Sequence, residues 1–210
     1  MTTRLGRPLA RLACAGLIAF AALSASAQSP AVEGRCSVQF FGSSTLHDFE
    51  GSAPCALLAI GAPDASGRYA ARAEVAIAQM QTGISARDKR MREMFEAKKH
   101  PLVVASFASI DPAAVRGRDA SALPFEISLH GVTRRVTPAL VSYRELAGES
   151  ARLEASFELS LQQFGLEAPV VMGFVRVEDR VKVVVTAELA AKRAAPGTPA
   201  APSAPTRAEP

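Results

Sequence analysis

The chain has 210 residues, with 24 Lys and Arg against 20 Asp and Glu, and a formal net charge of +4. This length predicts one domain with appendages, large enough to bury a hydrophobic core. Hydrophobic residues make up 49% of the chain and charged residues 21%. That balance excludes a protein that is disordered throughout.

The N-terminal segment predicts a secretory signal peptide over residues 1–27. Three arginines precede the uncharged apolar run 12–23, and Ala25-Ser26-Ala27 follows as a small-residue cleavage site. A run of about 12 residues is too short to cross a hydrocarbon core of about 30 Å, so we expect no stable membrane span. Cleavage near Ala27 would leave a periplasmic or secreted protein.

The C-terminal residues 191–210 are rich in Pro and Ala and contain little large apolar content. This composition predicts a disordered tail and leaves residues 28–190 as a single folded domain. The signal segment and the tail together carry the excess of basic residues, so the domain is close to neutral. A basic footprint for nucleic acid is therefore not expected.

Two cysteines, Cys36 and Cys55, remain once the signal segment is set aside. An even number of cysteines in an exported chain predicts one disulfide. No C-x-x-C motif is present, so a structural crosslink fits better than an oxidoreductase site.

Most apolar stretches alternate with a period of two residues, which predicts β-strands. The pattern is clear over residues 69–79, 125–129, 153–161 and 181–189, and weaker over 36–41, 49–60, 102–110, 134–143 and 170–177.

One segment, residues 84–100, breaks this period and predicts an amphipathic helix. Ser85 and Asp88 resemble a capping box at its start. Met91, Met94 and Phe95 repeat at helical spacing and form one apolar stripe. The stripe would either cover a bound lipid chain as a lid or plug one end of the fold as core.

Strands of this pattern with one helix between them predict a mainly β fold, a single antiparallel β-barrel of about eight strands. Small residues on the expected inner faces favour a cavity over a packed core, although a flattened sandwich could also close over them. These residues are Ala71, Ala73, Ala155 and Ala187.

Four sequence blocks resemble the YceI-like family, in the order in which that family carries them. They are residues 42–51 (GSSTLHDFEG), 99–107 (KHPLVVASF, directly after the predicted helix), 129–133 (LHGVT) and 164–169 (FGLEAP). They are distributed through residues 36–189, essentially the whole predicted domain.

This resemblance implies a lipocalin-like barrel with a long apolar cavity that holds a polyisoprenoid, quinone or related lipid. It implies no required cofactor, although an isoprenoid quinone could be the bound lipid. The chain departs from the family pattern at His47-Asp48, in its cysteine pair and in its tail, and it has no Trp. Protein partners are not indicated.

Predicted ligand contacts are apolar side chains in the strands and the helix, because small-molecule sites are mostly apolar with a few polar groups. Ordinary core packing is the alternative for each of them. They are Phe41, Met91, Met94, Phe95, Phe107, Phe125, Ile127, Phe157, Leu159 and Phe174.

Polar side chains add little beyond one candidate head-group contact, His47 with Asp48. No H-x-H or H-E-x-x-H spacing is present, so no metal site is predicted. Nor is there a nucleophile elbow, and we expect no enzymatic activity. The prediction is a lipid-binding protein for carriage or sequestration; the alternative is a periplasmic interaction module with a filled barrel.

Overall fold

The structure, a computed structural model, describes residues 32–147, 150–171 and 174–191. The predicted signal peptide lies outside these ranges, as does the predicted tail 191–210 apart from its first residue, Ala191, which is the last residue of the final strand. The strands are β1 Val32–Ser44, β2 Phe49–Pro54, β3 Leu57–Ile60, β4 Tyr69–Ala76, β5 Leu102–Ile110, β6 Phe125–Leu129, β7 Val132–Val136, β8 Leu140–Leu146, β9 Ser150–Ser160, β10 Val170–Val171 and β11 Val175–Ala191. The helices are α1 Ser85–Met94 and α2 Pro112–Gly117, with short 3-10 turns at Ile77–Gln79, Ala120–Ala122 and Gln162–Phe164.

All strand pairs are antiparallel, which confirms the mainly β antiparallel class. The strands pair in the order β7-β6-β5-β4-β3-β1-β11-β9-β8, and β2 and β10 add to β1 and β11. Within the described ranges no ladder joins β7 to β8, so the expected closed barrel of about eight strands is not confirmed. The sheet has more strands than expected. It curls around a common interior, but among the described residues its two edge strands, β7 and β8, are not joined by a hydrogen-bonded ladder.

The segment predicted as one strand over residues 49–60 is two strands, because its pairing partner changes. The Cys55 amide donates to the Cys36 carbonyl on β1 at 2.9 Å, while the next amide, of Ala56, donates to the Glu74 carbonyl on β4 at 2.7 Å. The disulfide between Cys36 and Cys55, with Cα atoms 5.2 Å apart, lies at this change of partner. The predicted disulfide is therefore confirmed.

Three other predicted strands are divided or end early in the structure. Residues 134–143 divide into β7 and β8, because Pro138 between them has no N–H to donate to a ladder. The 3-10 turn Ile77–Gln79 ends β4 early. Residues 170–177 divide into β10 and the start of β11.

The register of the strands separates the connections into two groups at opposite ends of the sheet. The β1–β2 turn, α1, the β6–β7 turn and the segment after β9 lie at one end, which we call the α1 end. The β3–β4 turn and α2 lie at the other, the α2 end. Both helices thus lie where strands end.

Helix α1 is shorter than predicted and its cap differs. It ends at Met94, after which Glu96 adopts a left-handed φ of 46°. The predicted capping box is wrong, because Ile84 occupies the N-cap position and no side chain caps the helix. Asp88 instead accepts from the Thr82 amide at 2.8 Å and from the Thr82 hydroxyl at 2.6 Å.

Helix α2 was not predicted from the sequence. Asp111 caps it by accepting from the Ala113 amide at 2.8 Å, and Pro112 occupies its first turn. Arg118 ends it with a left-handed φ of 58°. Six residues carry no readable apolar stripe, although the Asp-Pro pair is a typical helix-start signal.

Candidate ligand cavity

A cavity of about 800 Å³ runs through the interior of the curled sheet. Its size lies within the range of about 300–1,000 Å³ typical of small-molecule sites. Its lining includes Val32 and Leu189 near the α2 end and Ser44 and His47 at the α1 end. The cavity therefore extends along most of the length of β1.

The cavity exists because small side chains occupy inward positions where larger ones would fill the space. The four alanines predicted to face inward all line it: Ala71, Ala73, Ala155 and Ala187. Ala73 pairs with Ala105 across β4 and β5, and Ala105 also lines the cavity. Because strand side chains alternate between faces, one inward alanine on each of two adjacent strands leaves a continuous gap.

An aromatic cluster forms part of the cavity wall. The Phe107 and Phe125 rings are stacked with centroids 4.7 Å apart, and Phe157 packs edge-on against Phe125 at 5.1 Å. Phe125 and Phe157 are buried, whereas Phe107 keeps exposed surface although it faces inward. Partial exposure of an inward apolar ring indicates that it borders open space.

Helix α1 lies along the same cavity. Met91 and Met94 are half-buried, Phe95 is buried, and all three line the cavity. Ile127 on β6 and Leu159 on β9 line it as well. The predicted contacts from Met91 through Leu159 are thus brought together around one space.

Two predicted contacts are placed elsewhere. Phe41 is not among the lining residues; it borders a separate outer groove, whereas the neighbouring Phe40 is buried and lines the cavity. The period of two puts Phe40 on the same face as Cys36 and Val38. Phe174 lies in a turn before β11 and is 62% exposed.

Basic groups lie where the cavity opens at the α1 end. An Arg87 guanidinium nitrogen lies 3.3 Å from His47 Nε2, and its Cζ lies 5.1 Å from the Phe49 ring centroid. Leu46 is 64% exposed although it lines the cavity, which places the opening beside it. Asp48, the other predicted head-group residue, instead borders the outer groove with Phe41.

The charges around this cavity are of one sign. Among the described residues that line it, Arg87, Arg90 and Arg116 are the charged side chains, and no carboxylate is present. Nor is any carboxylate within ion-pair distance of Arg87 or Arg90 in the described part of the chain. The opening is therefore suited to a polar or anionic group and lacks an acid–base pair.

A carboxylate near the opening fixes the start of α1. The hydrogen bond from the Thr82 hydroxyl holds the pKa of Asp88 below its usual value, and the Thr82 amide and the cations Arg92 and Arg87 act in the same direction against burial. Thr82 and Arg87 both line the cavity. The ionised form of Asp88 thus holds Thr82, one residue of the cavity lining, in place.

Comparisons with known proteins support one family and one fold. A model described as the YceI-like domain matches residues 27–189. A polyisoprenoid-binding domain from Saccharophagus degradans is 18% identical, with a TM-score of 0.59 over 77% of this chain and 99% of that one. BcnA from Burkholderia cenocepacia is 14% identical, with a TM-score of 0.58 over 73% and 95%. No curated protein matches the chain.

Proposed function

Because the chain belongs to the YceI-like family, we propose that it binds the apolar chain of an amphiphilic lipid inside its cavity, for carriage or sequestration. The observation that carries this proposal is the 800 Å³ cavity with its almost wholly apolar wall. A structural neighbour with the same fold is described as polyisoprenoid-binding. The ligand classes that fit are a polyisoprenoid, an isoprenoid quinone and a fatty-acyl chain.

Burial of the lipid chain supplies the binding free energy. Each buried methylene contributes about 0.8 kcal/mol, so a chain of many carbons binds without many polar contacts. Rings such as Phe107 and Phe125 and the flexible side chains of Met91 and Met94 adapt to an irregular branched chain.

The head group would lie at the opening of the α1 end. Arg87, Arg90 and His47 are there and favour a phosphate, a carboxylate or a quinone carbonyl. Asp48 is dropped from this site because it faces the outer groove.

The protein is proposed to act after export. The Cys36–Cys55 disulfide fits an oxidising compartment such as the periplasm. None of the helices among the described residues is long and apolar enough to cross a membrane. Catalysis is not part of the proposal, since the described lining offers no carboxylate or nucleophile–base pair.

The alternative of an interaction module with a filled barrel fits less well. A filled interior would bring large side chains together, whereas Ala73, Ala105 and Ala155 leave open space. That alternative predicts a protein that carries no lipid.

Lipid extraction from the exported protein tests the proposal. The full chain is expressed, the exported form is purified, and its organic extract is analysed by mass spectrometry. We expect a long-chain amphiphile in near-stoichiometric amount, lost in Ala105→Phe and retained in Ala108→Phe, since Ala105 lines the cavity and Ala108 on the same strand is exposed. Equal, trace amounts in all three proteins would contradict it.

A further inference from the structure

Three side chains of types that commonly bind metal ions lie close together outside the lipid cavity, at the α1 end. One ligand atom each from Glu96, His100 and His130 lies within 4.8 Å of the others. None of the three lines the cavity. They come from the turn after α1, the residue before Pro101 and β5, and the β6–β7 turn, so the fold and not a local motif assembles them.

Left-handed backbone conformations present two of these ligands. Glu96 occupies the position after the helix end that glycine usually takes, with a φ of 46°. The bonds from the Glu96 amide to the Glu93 carbonyl and from the Ala97 amide to the Arg92 carbonyl, both 3.0 Å, complete this end motif. Glu96 thus places a carboxylate at a position whose backbone conformation favours glycine.

His130 and Gly131 form the two-residue turn between β6 and β7, with φ values of 52° and 76°. The His100 ring lies over this turn, because a Cβ at residue 131 would be 3.1 Å from its Cε1. The two imidazole rings meet edge to face with centroids 5.0 Å apart. Glycine at residue 131 therefore allows the close approach of the two rings.

The orientation of His130 leaves one nitrogen free for a ligand. Its Nδ1 lies 3.3 Å from the backbone carbonyl oxygen of Phe164, which is 1% exposed and therefore firmly placed. With the proton on Nδ1 donated to that carbonyl, Nε2 presents its lone pair to the cluster, 3.8 Å from Glu96 Oε2. A backbone carbonyl that fixes the tautomer of a histidine is the usual support for a metal ligand.

We propose that Glu96, His100 and His130 bind a divalent transition-metal ion of the zinc type. Two imidazole nitrogens and one carboxylate oxygen form a donor set that this ion accepts, with a fourth position left for water or another ligand. Lys99 Nζ lies 2.9 Å from Glu96 Oε2, so the metal competes with this exposed ion pair for the carboxylate. The site is separate from the lipid cavity and does not depend on the proposed function.

Metal titration of the full exported protein tests this site. After treatment with a chelator, Zn²⁺ is titrated calorimetrically, and Co²⁺ is titrated while its visible absorption is recorded. The wild-type protein should bind one equivalent, and the Co²⁺ complex should show absorption bands typical of four-coordinate geometry. Glu96→Gly should weaken Zn²⁺ binding by about tenfold or more, since even a supporting partner of a ligand is worth about 10–100-fold.

Two further variants make the result unambiguous. Glu96→Gly fits the left-handed backbone, so its loss of binding cannot come from misfolding. Lys99→Met removes the competing ammonium and should tighten Zn²⁺ binding. Glu93→Gln removes an exposed carboxylate that pairs with Lys89 and lies outside the cluster, and it should leave binding unchanged. No one-equivalent binding by the wild type, or equal binding by wild type and Glu96→Gly, would overturn the proposal.

Discussion

At the scale of the single residue, Asp88 shows how a buried carboxylate shapes the opening of the cavity. Its side chain holds Thr82 by two hydrogen bonds and is 8% exposed. The predicted capping box drew attention to Asp88 but gave it the wrong partner. Asp88 accepts hydrogen bonds from Thr82 and does not form a capping box with Ser85. Sequence spacing shows which residues lie within one turn, but not which loop folds back onto them.

Asp88→Asn should lower the free energy of unfolding by about 1.5–3 kcal/mol at neutral pH, the usual worth of hydrogen bonds to a charged group. The folded-state pKa of Asp88 is lowered, so its stabilisation is present above the unfolded pKa near 3.9 and is lost as pH falls through the folded value. Denaturant unfolding of both proteins between pH 7 and pH 2 measures the difference. A difference that stays constant down to pH 2 would contradict this account.

At the scale of the element, the predictable parts are those that local pattern determines. Period-two alternation located β4, β6, β9 and β11, and the cysteine count gave the disulfide. The division at Cys55 was missed because alternation continues through a change of partner, whereas Pro138 is a local strand-breaking signal that the predicted strand over residues 134–143 overlooked. Pairing partners depend on contacts between distant parts of the chain, which alternation does not encode.

The disulfide joins β1 to Cys55, the residue at which the chain changes from pairing with β1 to pairing with β4. Reduction, or Cys55→Ala, should lower the free energy of unfolding by about 3 kcal/mol, because the closed loop of roughly 20 residues gains entropy in the unfolded state. Denaturant unfolding with and without reductant measures this loss. The Cys36→Ala, Cys55→Ala double variant is the control and should show no response to reductant. A wild-type midpoint that reductant leaves unchanged would refute the claim.

At the scale of the whole molecule, the existence of a cavity could be predicted from the sequence, but only some of the residues that line it could. The inward alanines indicated open space, but alternation cannot say which of two adjacent residues faces inward. Phe40 lines the cavity and Phe41 does not, although both lie in the same strand. The cluster of Glu96, His100 and His130 could not be predicted from a local pattern, because Glu96 and His130 are 34 positions apart in the chain.

The central claim is that this interior holds a lipid chain, and binding of a long-chain quinone to a cavity-filled variant tests it most directly. Ala73 lines the cavity, whereas Ala70 on the same strand is exposed and serves as the matched control. A Phe ring that displaces two methylenes of ligand costs about 1.6 kcal/mol, more than tenfold in Kd. Fluorescence titration should therefore show at least tenfold weaker binding to Ala73→Phe and wild-type binding to Ala70→Phe. Equal affinity in all three proteins, or a wild-type protein that binds neither a long-chain quinone nor a long-chain fatty acid, would contradict the account.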